Sequence, residues 1–270
     1  MKAFHPFFLF IFLLGVTEAQ PVTQIRVREN MTMQVPIVGK IEVINTMVIA
    51  NGMMHEKEES KVDRFVFRWV GGSEGSIIDL ARGYKVFYDD EDEEQWKTTF
   101  EKLVEEATNP DTSGRRSISV SIGNDDDESE TEPIMSTMDE GMEEVNGVSA
   151  QKWVITILGK EDRVIFEMWM AEDMPMKIRA MAMEREIDEK IGLRVSDDGV
   201  SGFLNELSSM GDYGLEPIPG VMIKMKMIAF EDDNDEPKAS MSYLLLDIGE
   251  EPFNADDFVS PASYKLVEKN

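Results

Sequence analysis

The chain has 270 residues, of which 42% are hydrophobic, and it carries 54 acidic residues against 27 basic ones, for a formal net charge of −27. This is the composition of a folding chain that is long enough for one large domain. Nucleic-acid binding draws its affinity mainly from lysine and arginine neutralising phosphates, so the charge argues against DNA or RNA as a partner. It disfavours anionic membrane surfaces for the same reason.

The first residues predict an export signal. Lys2 supplies a positive charge, the apolar run FFLFIFLLGV follows at 7–16, and Thr17 and Ala19 occupy the two positions that a signal peptidase reads. The run is roughly half of the ~20 residues that a spanning helix needs, so an uncleaved anchor is the weaker alternative. We therefore predict a signal peptide at 1–19 with cleavage after Ala19, no stable membrane anchor afterwards, and a periplasmic or extracellular location.

Short apolar or alternating runs joined by polar turns predict strands along most of the remaining chain. The short connections favour antiparallel meanders. Helical spacing marks 93–107 and 201–210, and the acidic stretch at about 123–146 predicts a long loop. The predicted strands are Lys40–Ala50, Met53–Glu58, Lys61–Val70, Ser76–Leu80, Gly83–Asp89, Arg115–Ile122, Ala150–Leu158, Arg163–Ala171, Met176–Glu184, Val221–Phe230 and Ala239–Ile248.

The sequence shows no repeat of fixed period and no interdomain linker. We predict an N-terminal segment at 20–39 followed by one domain at 40–270. Its fold class is mainly β, a single curved antiparallel sheet that forms an incomplete β-barrel. About two helices are expected to cover the concave face of this sheet.

Side chains for catalysis and metal binding are scarce. The chain has no cysteine, and its two histidines are His5, inside the predicted signal, and His55. Strand alternation places His55 on the opposite face from Glu56 and Glu58, so we interpret it as a solvated side chain rather than a metal ligand. Zinc sites and nucleophilic triads therefore lack their side chains. We predict no catalytic residue, no metal and no cofactor, although a hydrolase that uses two carboxylates stays open as an alternative.

Three acidic runs, at 89–94, 125–128 and 231–236, are candidate cation loops. Counted from Asp90, an EF-hand requires glycine at its sixth position, where the sequence has Gln95. We interpret Asp89–Glu94 instead as a strand end followed by a helix N-terminus, where carboxylates stabilise free amides. Weak, unspecific cation binding stays an alternative. The glycine-rich Gly71–Gly75 is predicted to be a hairpin turn and not a phosphate loop.

Methionine gives the most distinctive signal, with 20 residues in the chain. Its flexible, polarizable side chain suits a surface that adapts to varied apolar guests, but methionine is also an ordinary core residue, and both interpretations stay open. The same holds for the aromatic residues of one predicted strand face. The candidate lining residues for an apolar ligand are Phe65, Phe67, Trp69, Phe166, Met168, Met170, Met181, Met183, Met225 and Met227.

Four stretches carry a family resemblance. They are the hairpin at 77–88 with the acidic residues behind it, the strand opening GVSAQKW at 147–153, FEMWMAEDMPMK at 166–177, and DDFVSPASY at 256–264. In this order they resemble a family of secreted bacterial domains of unknown function whose fold is similar to the lipoprotein carriers LolA and LolB. The resemblance implies an incomplete barrel whose helices plug an apolar cavity, which holds acyl chains in the carriers. It implies no catalytic residues.

The sequence therefore predicts a non-enzymatic envelope protein that binds an apolar ligand, an acyl chain or a lipidated protein, in the concave face of a half-barrel. One alternative is a structural or interaction protein whose core is filled by its own side chains. The second is the carboxylate-based hydrolase. A carrier should enclose an apolar cavity of several hundred Å³, whereas a hydrolase should bring two carboxylates with raised pKa values into one cleft. The oligomeric state is not predicted.

Overall fold

The computed structural model describes residues 22–36, 38–63, 71–108, 134–159, 162–193, 218–231 and 236–269. Alternating apolar and polar residues build strands over most of these ranges. The elements in chain order are β1 (Thr23–Val35), β2 (Gly39–Ala50), β3 (Met53–Val62), β4 (Gly72–Asp79), β5 (Tyr84–Asp89), β6 (Glu94–Thr99), α1 (Phe100–Thr108), β7 (Ile134–Val145), β8 (Val148–Leu158), β9 (Asp162–Ala171), α2 (Pro175–Ile191), β10 (Val221–Glu231), β11 (Pro237–Pro252) and β12 (Lys265–Leu266).

These twelve strands form one open sheet in the order β12-β6-β5-β4-β3-β2-β1-β11-β10-β9-β8-β7. Its pairs are antiparallel, apart from β12, which runs parallel to β6. The predicted fold class is confirmed, because the protein is mainly β and its open sheet is consistent with an incomplete barrel. Within the described ranges, neither helix has the length and apolar character to cross a membrane.

Most of the predicted strands agree with the structure. They correspond to β2 to β5 and β8 to β11, in each case with shifts of a few residues at the ends. The strand β1 lies between β2 and β11 and pairs with both along most of its length. The sheet therefore begins within the segment at 20–39 that we set apart as N-terminal.

The strand predicted at Met176–Glu184 is wrong, because this stretch lies in helix α2. The helix begins at Pro175, where the fixed φ of proline suits a first turn, and it ends before Gly192, whose φ of 88° is the left-handed cap that glycine adopts readily. Side chains three or four residues apart form its inner stripe. They are Lys177, Ala180, Glu184, Ile187 and Ile191.

The acidic run Asp89–Glu94 does not begin a helix, which corrects our interpretation. It forms the turn between β5 and β6, where Asp89 Oδ1 accepts hydrogen bonds from the amides of Glu91 and Asp92 at 2.9 and 3.2 Å. The helix predicted at 93–107 is likewise β6 followed by α1. Part of the loop predicted at 123–146 is strand β7. The strand predicted at 115–122, most of the strand predicted at Lys61–Val70, and the helix predicted at 201–210 lie outside the described residues.

One face of the sheet packs against the helices. Ala180, Ile187 and Ile191 of α2 are buried against Ile25 of β1 and Ile49 of β2. Phe100 and Val104 of α1, and Leu80 just after β4, pack against this group as partly buried neighbours. We name the whole buried group the first cluster; its members are Ile25, Val27, Met47, Ile49, Met54, Ile78, Val145, Ala150, Trp169, Ala171, Met174, Ala180, Ile187, Ile191, Ile223 and Leu245. Burial of these apolar side chains is the main force that holds α2 against the sheet.

The opposite face of β2 to β5 packs against the C-terminal residues. Phe258 ends a short 3-10 helix and is buried with Val48, Ile77, Val86 and Tyr88. The stretch at 256–264 that carries part of the family resemblance thus closes this face. His55 also lies here, half-buried, with its Nε2 2.7 Å from the Tyr88 hydroxyl, and burial lowers its pKa. Our interpretation of His55 as a solvated side chain is therefore wrong.

Removing the hydroxyl of Tyr264 should destabilise this closure modestly. The hydroxyl donates to Asp90 Oδ1 at 2.8 Å. We expect Tyr264→Phe to lower the free energy of unfolding by about 1 kcal/mol, the usual net worth of one such bond. Urea denaturation would measure it, with Tyr84→Phe as control, since the described part of the chain offers the Tyr84 hydroxyl no hydrogen bond. An equal loss in both variants would contradict the assignment.

Candidate functional site

The candidate site is a group of ten buried side chains on four adjacent strands, which we name the methionine cluster. Strand register brings its members together, since Met225 lies opposite Met168 and Met227 lies opposite Phe166 across β9 and β10. On the other side of β10, Met225 lies opposite Tyr243 of β11. The members are Ile155, Ile157, Val164, Phe166, Met168, Met170, Met222, Met225, Met227 and Tyr243.

The predicted lining residues divide into three groups. Phe166, Met168, Met170, Met225 and Met227 all belong to the methionine cluster. Met181 and Met183 lie on α2 and not on a strand, and Met183 packs against the first cluster. Phe65, Phe67 and Trp69 lie outside the described residues. The sequence pattern thus locates half of the predicted lining on one surface.

Five members of the cluster were not predicted as lining residues. They are Ile155, Ile157, Val164, Met222 and Tyr243. Met222 stands three residues before Met225, so plain alternation would place them on opposite faces. The register shifts between Met222 and Lys224, and the extra residue Ile223 returns Met222 to the face of Met225. Tyr243 reaches the cluster through the pairing of β10 with β11, which no local pattern reveals.

The methionine cluster lies on the same face of the sheet as α2. The Tyr243 hydroxyl donates to Glu29 Oε1 at 2.8 Å, and Lys177 Nζ donates to the same oxygen at 2.5 Å. We name these three residues the polar junction. Burial, followed by the charge of Glu29 and the bond to it, raises the pKa of Tyr243, so the phenol stays a donor. The junction connects the methionine cluster, through Tyr243, to helix α2, through Lys177.

Glu184 lies on the inner stripe of α2, close to the polar junction. Burial raises its pKa from 4.5 to about 7, and the carboxylate of Glu56 on β3 adds to this effect. Lys177 acts in the opposite direction, whereas Asp188 and Glu29 raise the pKa further. The carboxyl group therefore titrates near neutral pH, because its charged form is poorly solvated and faces like charges.

One side chain at the methionine cluster has an unmet hydrogen-bond donor. Trp153 of β8 packs against the cluster, and its indole Nε1 is buried with no hydrogen-bond partner in the described part of the chain. Trp169 differs, because its Nε1 donates to Glu143 Oε2 at 2.6 Å. Most buried donors in native proteins are paired, so the Trp153 donor requires an explanation.

A pocket of about 240 Å³ lies between α2 and the turns that follow β2 and β4. Its lining includes Leu80, Met183 and Ile187 together with the charged Arg179, Glu186 and Lys190. No member of the methionine cluster lines this pocket, and neither does Glu184. The pocket therefore supplies neither the apolar cavity expected of a carrier nor the cleft with paired carboxylates expected of a hydrolase.

Comparison with protein-family models and with curated proteins gives no match. Among solved structures, the chain is similar to a domain from Vibrio parahaemolyticus that is named as an outer membrane lipoprotein-sorting protein domain. The identity is 8%, the TM-score is 0.26, and the match covers 87% of this chain and 88% of that chain. A TM-score this low does not establish a shared fold, and the fold of this protein is defined by its own strand pairing.

Proposed function

We propose that this protein is a non-enzymatic envelope protein that binds an apolar ligand, an acyl chain or the acyl part of a lipidated protein, at the methionine cluster. The composition of the cluster carries the proposal. Five of its ten members are methionines, and they occupy adjacent positions on only two strands, β9 and β10. Unbranched, polarizable side chains of this kind can rearrange around guests of different shape at small energetic cost.

The cluster is closed, because its members are only 0% to 5% exposed. A ligand must therefore displace side chains rather than enter a ready-made cavity. The buried residues of α2 all belong to the first cluster, so the described helices do not compete for the methionine cluster. Methionine lowers the cost of such displacement, since its three rotatable bonds allow several packings of similar energy.

The proposed location follows from the sequence. The apolar run at 7–16 and the small residues behind it support export, which would place the protein among the lipids and lipidated proteins of an envelope. An acyl chain is uncharged, so the protein's net charge of −27 does not repel it, and binding can rest on apolar burial alone. The proposal includes no catalytic residue and no cofactor.

A fluorescent probe can test the binding site directly. Protein stripped of lipid on a hydrophobic resin is titrated with the uncharged probe N-phenyl-1-naphthylamine, and we expect micromolar affinity. Met225→Lys should weaken binding at least tenfold, because an ammonium group in the cluster is costly to desolvate. Met142→Lys is the matched control, since Met142 is 62% exposed on β7 and should leave binding unchanged.

A second variant keeps the test decisive if Met225→Lys does not fold. The double variant Met168→Leu/Met225→Leu conserves volume, so stability should change by less than about 1.5 kcal/mol. Probe affinity should nevertheless fall severalfold, because leucine is less adaptable. Native mass spectrometry of protein from its own envelope should show a bound apolar ligand. Absence of both probe binding and a co-purifying ligand would favour the alternative of a self-filled core.

A further inference from the structure

The unmet donor of Trp153 defines a second requirement for the ligand. The indole N–H is buried beside the methionine cluster, among side chains that offer no good acceptor. Methionine sulfur is only a weak acceptor, and Phe166 and the aliphatic members of the cluster offer none. The hydroxyl of Tyr243 is already bonded to Glu29. A donor in this position gains free energy when a ligand brings an oxygen to it.

The side chain that pairs with Trp153 across the neighbouring strand does not satisfy this donor. Asp139 of β7 lies directly opposite Trp153 in the strand register. Its Oδ1 accepts instead from the amide of Gly141 at 2.8 Å and from the side chain of Gln151. The Oδ1 atom of Asp139 thus accepts from other donors, and the negative charge of this residue lies on the strand position that pairs with Trp153.

We propose that the indole N–H of Trp153 donates a hydrogen bond to the carbonyl oxygen of an ester-linked or amide-linked acyl chain. This inference rests on the proposed function, because it requires a ligand in the methionine cluster. A carbonyl oxygen accepts well without bringing a charge. A free carboxylate would face Asp139 and the negative field of the whole protein, so the site selects acylated molecules over free fatty acids.

The test uses two ligands that differ only in the carbonyl group, methyl hexadecanoate and methyl hexadecyl ether. Each is titrated against protein loaded with N-phenyl-1-naphthylamine, and displacement gives its affinity. We expect the wild-type protein to bind the ester about five- to tenfold more tightly than the ether. Trp153→Phe keeps the aromatic packing but removes the donor, so both ligands should bind with the affinity of the ether.

Trp169→Phe is the matched control. Its indole N–H is already paired with Glu143, so this variant should keep the preference for the ester. The indole ¹⁵N–¹H resonance that disappears in Trp153→Phe belongs to Trp153. In the wild-type protein its proton should shift downfield with the ester and not with the ether, which a purely structural role of Trp153 would not produce.

The outcomes separate the two proposals. Equal affinity for ester and ether in the wild-type protein, or a preference for the ester that survives in Trp153→Phe, overturns the inference while the apolar binding site stands. Failure of both ligands to displace the probe, together with failure of the probe to bind, overturns the proposed function and this inference with it.

Discussion

Replacing Gly75 with alanine is expected to lower the free energy of unfolding by about 3 kcal/mol, the upper part of the usual range for overpacking. Gly75 lies opposite Tyr88 in the pairing of β4 with β5. A methyl group at residue 75 would stand 2.2 Å from Cζ and 2.3 Å from the hydroxyl oxygen of Tyr88. The ring cannot retreat easily, since it is 3% exposed and bonded to His55.

Urea denaturation of four variants, Gly75→Ala, Gly249→Ala, Tyr88→Ala and the double variant Gly75→Ala/Tyr88→Ala, would check this prediction. Gly249→Ala is the matched control, because Gly249 also lies in a strand but has no atom within 4 Å of an added methyl group. That variant should be neutral or stabilising by up to about 1 kcal/mol. In a Tyr88→Ala background, Gly75→Ala should lose most of its cost, which is the signature of a direct clash. Equal destabilisation by both glycine substitutions would contradict it.

Gly75 also shows why part of the fold escapes sequence reasoning. We predicted that Gly71–Gly75 forms a hairpin turn, whereas β4 already begins at Gly72. Glycine in a strand often marks a place where another group approaches the backbone closely. That group is the Tyr88 ring on the neighbouring strand, and its approach follows from strand register rather than from the residues next to Gly75.

The error at α2 has a local cause. Over its first residues, Met176, Ile178 and Ala180 alternate with charged residues, which imitates a strand. The helical period becomes visible only over a longer window that reaches Ile191. Pro175 and Gly192 are the boundary signals that could have identified the helix, since they occupy the positions where proline and glycine are favoured.

The candidate site could be predicted only in part, because local patterns show which residues share a face of one strand but not which strands are neighbours. Alternation within β9 and within β10 indicates correctly that Phe166 and Met168 share one face and that Met225 and Met227 share one face. It cannot indicate that the two strands are neighbours, because α2 and the residues after it separate them in the chain. The polar junction could not be predicted from local patterns, because its three residues come from β1, α2 and β11, which are distant in the chain.

Glu184, which lies close to the polar junction, makes the stability of the packing of α2 against the sheet depend on pH. In the folded protein the pKa of Glu184 is about 7 against an ordinary value of 4.5, so the folded state holds the proton more tightly than the unfolded state. The free energy of unfolding therefore decreases as the pH rises from 4.5 to 7. The decrease is complete above pH 7, where the ionised side chain faces Glu56, Glu29 and Asp188, with Lys177 as the opposing charge.

Replacing Glu184 with glutamine should remove this dependence. Glutamine stays uncharged, so the variant should be more stable than the wild-type protein by about 2 to 3 kcal/mol at pH 8, and by less than about 0.5 kcal/mol at pH 4.5. Urea denaturation at several pH values would measure the difference. Other carboxyl groups with raised pKa values, such as that of Glu58, are common to both proteins and cancel.

Glu186→Gln supplies the control for this experiment. Glu186 lies two residues further along α2 on the exposed side, where it pairs with Lys190. Its loss should change stability by no more than about 0.5 kcal/mol at either pH. A constant difference between Glu184→Gln and the wild-type protein across this range would show that Glu184 is not the titrating group. A difference that grows with pH would show that the packing of α2 against the sheet is most stable when Glu184 is protonated. This packing, next to the methionine cluster, would then become less stable as the pH rises to neutral.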